Sequence, residues 1–281
     1  MPLVTTAELV GDAGWRGRGI AAFNVITLEH AEGIVAGAQR SGRPVILQVS
    51  ENTVKFHGGQ IRPLAAALNA LAAEADTQVS LHLDHAENAD LWHRAADAGY
   101  SSVMVDCGSL PHDQNVAITA DVTKQLHQQG LSVEAELGYV GGKDTQVSSA
   151  HAPGVRTDPQ QAAEFVAATG IDALAVAVGS SHAMTTQTAE LDLELVAALR
   201  NAVPVPLVLH GSSGVPDDVM RAAVLAGIVK VNVGTALNVA YTGALREALA
   251  ASTKVDPRAP LEAARGAVAD TVARLLEVVT P

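Results

Sequence analysis

Three histidines stand where chemistry can be assembled. His85 ends the run Leu81-His82-Leu83-Asp84-His85, and His182 ends Val178-Gly179-Ser180-Ser181-His182. His210 opens the turn His210-Gly211-Ser212-Ser213-Gly214 after Leu207-Val208-Leu209. Each follows a short apolar run of the kind that forms a buried strand. In a parallel α/β barrel, residues just past the strands share one face, so side chains far apart in sequence converge there. Three neutral imidazoles converging on one point make an open zinc site, with a fourth position left for substrate. Asp84, beside the first of them, offers a carboxylate for proton transfer. An isolated Asp-His pair would read more simply as a core histidine beside a helix-capping aspartate, and the two other strand-end histidines weigh against that. His82 lies deeper on the same strand and reads as structural. His57, His93, His112, His127 and His151 fall in loop or surface-helix contexts and read as solvated.

Acidic groups aim at the same mouth. Glu134 and Glu136 lie in Val133-Glu134-Ala135-Glu136-Leu137, where the two-residue period of a strand puts both on one face. A carboxylate inside a barrel needs a metal, a cation or a hydrogen-bond network. Glu136, nearer the strand end, is the better candidate for the metal shell. Asp106 ends the next apolar run upstream and joins the candidate binding set; for each of these acids the alternative is orienting a histidine ring. Two glycine- and serine-rich turns, His210 to Gly214 and Lys230-Val231-Asn232-Val233-Gly234-Thr235, present N–H groups and hydroxyls suited to a phosphate.

These residues need a frame. Apolar runs recur at Ile20 to Val25, Val45 to Val49, Val79 to Leu83, Ser102 to Val105, Leu131 to Leu137, Ala173 to Val178, Leu207 to Leu209 and Val229 to Val233. They are continuous rather than alternating, as in strands covered on both faces. Helix-like stretches fall between them, from Leu28 to Arg40 through Asp217 to Ala226. Thr157-Asp158-Pro159 reads as a helix cap followed by a first-turn proline. Gly42, Gly99, Gly130, Gly170 and Gly227 follow helical patterns, where a left-handed cap is wanted. The series predicts one α/β domain over residues 1–281, a (β/α)8 TIM barrel with a largely helical C-terminal extension broken at Asp256-Pro257-Arg258-Ala259-Pro260. The segment from Gly138 to Arg156 is longer than an ordinary βα loop and reads as a lid.

Composition bounds the function. The 281 residues are 48% hydrophobic but only 3% aromatic, so the core is built from Val, Ala, Leu and Ile. A net charge of −12 argues against a nucleic-acid surface. One cysteine, Cys107, allows no internal disulfide and points to a reducing cytoplasm. No apolar run approaches the roughly 20 residues needed to span a bilayer, and no signal peptide is visible.

The chain resembles the class II, zinc-dependent fructose- and tagatose-bisphosphate aldolases, most closely the shorter tagatose-bisphosphate-type branch. The matching motifs run in order: A-F-N-V at Ala22 to Val25, Q-V-S at Gln48 to Ser50, L-D-H-A at Leu83 to Ala86 and V-E-A-E-L-G at Val133 to Gly138. They continue with Gly141-Gly142, T-D-P at Thr157 to Pro159, G-I-D-A-L-A-V-A-V-G at Gly170 to Gly179, the two phosphate turns, and D-P-R at Asp256 to Arg258. The resemblance implies zinc on His85, His182 and His210, and Asp84 as the base that takes the substrate's C4 hydroxyl proton. Gly211, Ser213, Asn232 and Thr235 match positions that hold dihydroxyacetone phosphate, and Asn24, Asp106 and Lys230 complete the expected binding set. Ser50 and Arg258 match positions that meet the far phosphate, the arginine reaching from a neighbouring subunit of a homodimer or homotetramer. A monovalent cation, Na+ or K+, usually assists the phosphate turns.

The chain departs from the family pattern at three places. Lys143-Asp144-Thr145-Gln146 stands where a Glu-Asp pair is usual, which makes Asp144 the candidate for the lid acid. Ala183 replaces the usual glycine after the second histidine, and Ser50-Glu51-Asn52-Thr53 follows the second strand. The expected activity is reversible cleavage of fructose 1,6-bisphosphate or tagatose 1,6-bisphosphate to dihydroxyacetone phosphate and glyceraldehyde 3-phosphate. The alternative is an aldolase for another phosphorylated keto sugar or sugar acid, such as 6-phospho-5-dehydro-2-deoxygluconate. A metal-dependent isomerase and a non-catalytic sugar-phosphate-binding protein are the remaining readings.

Overall fold

A computed structural model of the chain describes residues 2–138, 140 and 156–281. Its eight strands are β1 (Ile20–Asn24), β2 (Val45–Ser50), β3 (Val79–Ala86), β4 (Ser102–Val105), β5 (Ser132–Leu137), β6 (Ala173–Val176), β7 (Leu207–Leu209) and β8 (Ile228–Val233). All neighbours pair in parallel and β8 closes on β1, so the sheet is a complete barrel. Helix α1 (Thr6–Trp15) precedes it. Then α2 (Leu28–Ser41), α3 (Glu51–Phe56), α4 (Ile61–Ala73), α5 (Ala89–Ala98), α6 (His112–Gln128), α7 (Pro159–Thr169), α8 (Leu193–Ala202) and α9 (Asp217–Ala226) follow the strands in turn. The chain ends in α10 (Thr235–Ala250) and α11 (Arg258–Val279).

Strand alternation sorts the side chains into two environments. Ala21 and Phe23 of β1, Val45, Leu47 and Val49 of β2, and Val133, Ala135 and Leu137 of β5 join the main apolar core between sheet and helices. The alternate positions face the barrel interior. At its lower end Ile20, Ala22, Ile46 and Val229 form a second apolar cluster with Leu9, Val10 and Ala13 of α1. That helix carries a capping box, in which Thr5 and Glu8 satisfy each other's backbone N–H. It seals the barrel bottom, where the apolar runs and punctuation of the sequence predict no element. Above this plug the interior turns polar: Gln48, His82, Asp84, Glu134, Glu136, Lys230 and Asn232 are all buried.

The expected helix punctuation is present. Asp158 caps α7 with Pro159 in its first turn, and Gly42, Gly99, Gly130, Gly170 and Gly227 all have positive φ. The C-terminal segment does more than extend the barrel: α11 packs against α2, α9 and β1, filling the helix position between α9 and α2, while α10 lies against α11. The α2–α11 contact is close enough to require glycine. A Cβ on Gly37 would lie 2.5 Å from the Ala269 carbonyl oxygen and 2.8 Å from Val272 Cβ.

Gly266, on the same long helix α11, has open space around it. The two sites should therefore respond oppositely to one chemical change. Gly37→Ala should destabilise the protein by about 1–3 kcal/mol through overpacking. Gly266→Ala should stabilise it by up to about 1 kcal/mol through helix propensity. Urea unfolding midpoints check both, and equal shifts for the two would contradict the tight crossing.

Candidate active site

A cavity of about 750 Å³ opens at the C-terminal end of the barrel, bordered by turns after β1, β2, β3, β7 and β8 and by His182 after β6. The His85, His182 and His210 ligand atoms all lie within 4.8 Å of one another. Asp84 and His85 both line the cavity, although adjacent residues of a regular strand point to opposite faces. The backbone resolves this. The β3–β4 register shifts between Leu83 and Ala86, and His85 has φ +46°. This is a bulge that re-aims one side chain beside a functional site. The conformation is strained for a residue with a Cβ, and its surroundings hold it. The Ala86 carbonyl accepts from Trp92 Nε1 at 2.6 Å. The Glu87 and Asn88 amides donate to Glu51 Oε2 at 2.7 and 2.9 Å.

The orientations of His85 and His210 follow from what their outer nitrogens touch. His85 Nδ1–H donates to Asp106 Oδ2 at 2.7 Å. His210 Nε2–H donates to Glu134 Oε1 at 2.9 Å, and Glu134 Oε2 accepts from Lys230 Nζ at 2.7 Å. A carboxylate can only accept, so both outer nitrogens carry protons and both inner ones, His85 Nε2 and His210 Nδ1, present lone pairs. These face each other at 3.1 Å. Burial, reinforced by neighbouring His85, holds His210 well below the usual imidazole range, so this ring stays neutral. Two lone pairs so close favour a cation between them. Two nitrogens on one tetrahedral zinc would be separated by about 3.3 Å. Glu136 Oε2, 3.4 Å from His210 Nδ1, is a further donor at that point. The residues present therefore fit a zinc ion.

Asp84 is buried, and three side-chain amides surround it. Asn24 Nδ2 and Gln48 Nε2 each lie 3.4 Å from Oδ2, and Asn232 Nδ2 lies 3.4 Å from Oδ1. Gln48 also donates to Asn24 Oδ1 at 2.8 Å, tying the first two together. Gln48 was missed as a site residue, though a glutamine in the middle of an apolar strand, in phase with Ser50, is the kind of signal that marks an inward polar position.

The turns after β6, β7 and β8 interlock. Gly211 has φ +65°, and a Cβ there would fall 2.6 Å from the Ser181 carbonyl. Ala183 adopts φ +60°, so the alanine keeps the left-handed backbone for which glycine is the usual choice. Ser213 Oγ accepts from the Ala236 amide at 3.0 Å, joining the first turn to the start of α10. Thr157 likewise ties β5 to β6, donating to the Leu137 carbonyl at 2.5 Å and accepting from the Ala177 amide at 2.8 Å.

Of the candidates from sequence, Asn24, Ser50, Asp84, His85, His182, Gly211, Ser213, Asn232 and Thr235 all line the cavity, and His210 and Glu136 lie beside one another at its histidine cluster. Lys230 and Asp106 are not brought to it. The first is consumed beneath the site by Glu134 and the second supports His85 from behind, because an inward charge below the mouth must find a partner inside the barrel. Arg258 also stays away from its own chain's cavity: it is exposed and forks onto Asp256. His57, read as solvated, instead donates from Nε2 to the Ile26 carbonyl at 2.7 Å, pinning the turn after β1. His82 is fully buried, its Nδ1 2.7 Å from Ser102 Oγ. Asp144, Gly141-Gly142 and His151 lie outside the described residues.

The support under His85 is testable without any assay of turnover. Removing a carboxylate that orients a ligating histidine weakens metal binding by about 10–100-fold. Asp106→Ala should show that loss in a zinc competition titration against a chelator, with the fold intact by circular dichroism. Unchanged affinity would mean that Asp106 does not orient the ring.

Residues 4–280 match the family described as fructose-bisphosphate aldolase class-II. Among solved structures, the chain is similar to the YdjI aldolase from Escherichia coli K12, with 31% identity and a TM-score of 0.86 over 99% of this chain and 97% of that one. The fold is also that of fructose-bisphosphate aldolase (Fba) from Campylobacter jejuni, with 22% identity and a TM-score of 0.81 over 99% and 95% of the two chains. With its strand-end histidines gathered at one mouth of a closed barrel, this chain belongs to the class II fructose-bisphosphate aldolase family.

Proposed function

We propose that the protein is a zinc-dependent aldolase that reversibly cleaves a ketose phosphate into dihydroxyacetone phosphate and an aldehyde. The observation that carries this reading is the bulge at His85, which presents one imidazole of the histidine cluster and the adjacent Asp84 carboxylate to one cavity. Cleavage requires a base at the C4 hydroxyl and a sink for the electron pair of the C3–C4 bond. Asp84 takes the hydroxyl proton, and Asn24, Gln48 and Asn232 hold its carboxylate in place for that transfer. The C4–O bond becomes the aldehyde carbonyl as the C3–C4 pair moves toward C2. Zinc on His85, His182 and His210, with Glu136 beside it, would supply Lewis-acid stabilisation of the charge that collects there. Such preorganised stabilisation in a site closed to water is commonly the largest contribution to rate.

The phosphate of the dihydroxyacetone half is assigned to Gly211, Ser213 and Thr235. They border the start of α10, where Ser213 Oγ accepts from the Ala236 amide and keeps its own O–H to donate, and the positive end of a helix dipole attracts an anion. A monovalent cation held through carbonyls would add to that attraction. Asp144 is our candidate for delivering the proton that C3 needs. Fructose 1,6-bisphosphate and tagatose 1,6-bisphosphate are the leading substrates, with phosphorylated keto sugars or sugar acids next. In a homo-oligomer, the exposed Arg258 would be available to a neighbouring subunit's cavity. We place the reaction in the cytoplasm; among the described residues no helix is long and apolar enough to cross a membrane.

Release of triose phosphate from a ketose-phosphate panel, read by a coupled assay, tests the reaction. EDTA or dipicolinate should abolish activity, and added zinc or cobalt should restore it. Asp84→Ala should retain zinc while turnover falls by about 10²–10⁴-fold, the scale expected for loss of a general base. His182→Ala should lose both. Full activity in metal-free protein would defeat the reading, and zinc loss in Asp84→Ala would make Asp84 a ligand instead.

A further inference from the structure

The cavity wall is unevenly charged. Glu51, Asp84 and Glu87 all border it, and Lys55 is the only lysine or arginine that does so among the described residues. Lys55 lies on α3, after β2, and its side chain is 64% exposed. Its Nζ is held 2.8 Å from Glu51 Oε1, while Glu51 Oε2 is fixed by the Glu87 and Asn88 amides. The ammonium is thus tethered at the mouth to a carboxylate that is itself rigid. An ammonium has three donors, so the bond to Glu51 leaves others for a ligand. Ser50, the neighbouring candidate, is more committed. Its Oγ accepts from the Thr53 amide at 3.2 Å and lies 3.3 Å from Thr53 Oγ1, capping α3.

Resting on the ketose-phosphate reading above, the geometry follows. A substrate with one phosphate at the β7 and β8 turns and its reacting carbons beside Asp84 has its far end left for the remaining wall. The segment after β2 supplies much of that wall, including Asn52, Lys55 and the exposed Phe56. We propose that Lys55 is a specificity-determining residue whose ammonium binds an anionic group, carboxylate or phosphate, at the end of the substrate remote from the dihydroxyacetone phosphate half. The Glu51 and Glu87 carboxylates can accept from sugar hydroxyls but repel an anion, so recognition of an anionic end falls to the tethered ammonium of Lys55. The competing account is a solvated lysine making an ordinary i,i+4 pair on a surface helix, which contributes little.

Calorimetric titration of the zinc-loaded, full-length Asp84→Ala protein separates these accounts, since that variant binds without turnover. Three ligands are compared: fructose 1-phosphate, fructose 1,6-bisphosphate, and fructuronate 1-phosphate, in which a carboxylate replaces the terminal hydroxymethyl group. At least one anion-ended ligand should bind about tenfold tighter than fructose 1-phosphate, the scale of one charge-assisted hydrogen bond. Which one does so identifies the anion. Adding Lys55→Met should bring that ratio close to one, and Lys55→Arg should largely preserve it. The absence of any preference, or a preference that survives Lys55→Met, would overturn the assignment. Triose phosphate release by the unsubstituted protein is scored separately on the same ligands. Its absence from all of them would count against the aldolase reading, while the binding ratio would still decide the role of Lys55.

Discussion

Lys230 and Glu134 meet at 2.7 Å inside the barrel, each almost completely buried. Charges withdrawn from water cost several kcal/mol each unless they are paired and fully hydrogen-bonded, and removing one partner of such a pair costs about 3–5 kcal/mol. Neither residue can turn elsewhere, because both project inward from strands whose other faces are packed under helices. Glu134 spends its second oxygen on His210 Nε2–H. The ion pair therefore fixes which nitrogen of His210 is protonated, how the ring is turned, and where its Nδ1 lone pair points. The site above the barrel depends on this buried arrangement below it.

The same logic repeats around the mouth at shorter range. Asp106 fixes His85 as Glu134 fixes His210, and the three amides of Asn24, Gln48 and Asn232 hold Asp84 between them. The strained backbone at His85 persists because Trp92 and Glu51 anchor the residues just after it. Gly211 allows the β7 turn to touch the Ser181 backbone, so two of the histidine-bearing turns are packed as one unit. A site assembled from many separate strands is precise only if such supports remove the freedom of each contributor.

Much of the frame was legible because a parallel barrel writes a simple pattern. β4, β7 and α9 occupy the spans that apolar runs and punctuation assigned, and the strand-end position of the histidines follows from the barrel rule alone. What was illegible had no local signature. Helix α1 is short, and its burial comes from plugging the barrel, a tertiary fact. The roles of Lys230 and Asp106 depend on which inward residues become neighbours across strands, which spacing along one strand does not reveal. Asp84 and His85 facing the same way contradicts the two-residue period and requires a bulge that the sequence does not announce. The pairing of Lys55 with Glu51 fits an i,i+4 helix pattern, but α3 is only six residues long, too short for an apolar periodicity to announce it.

The proposed chemistry depends on the three strand-end imidazoles acting together as one metal site. Zinc K-edge X-ray absorption on the protein loaded with one equivalent of zinc tests this most directly. We predict a first shell of nitrogen and oxygen only, with imidazole scattering from three rings and Zn–N distances of about 2.0–2.1 Å. A shell of water-like oxygens without imidazole scattering, or one containing the sulfur of Cys107, would contradict it.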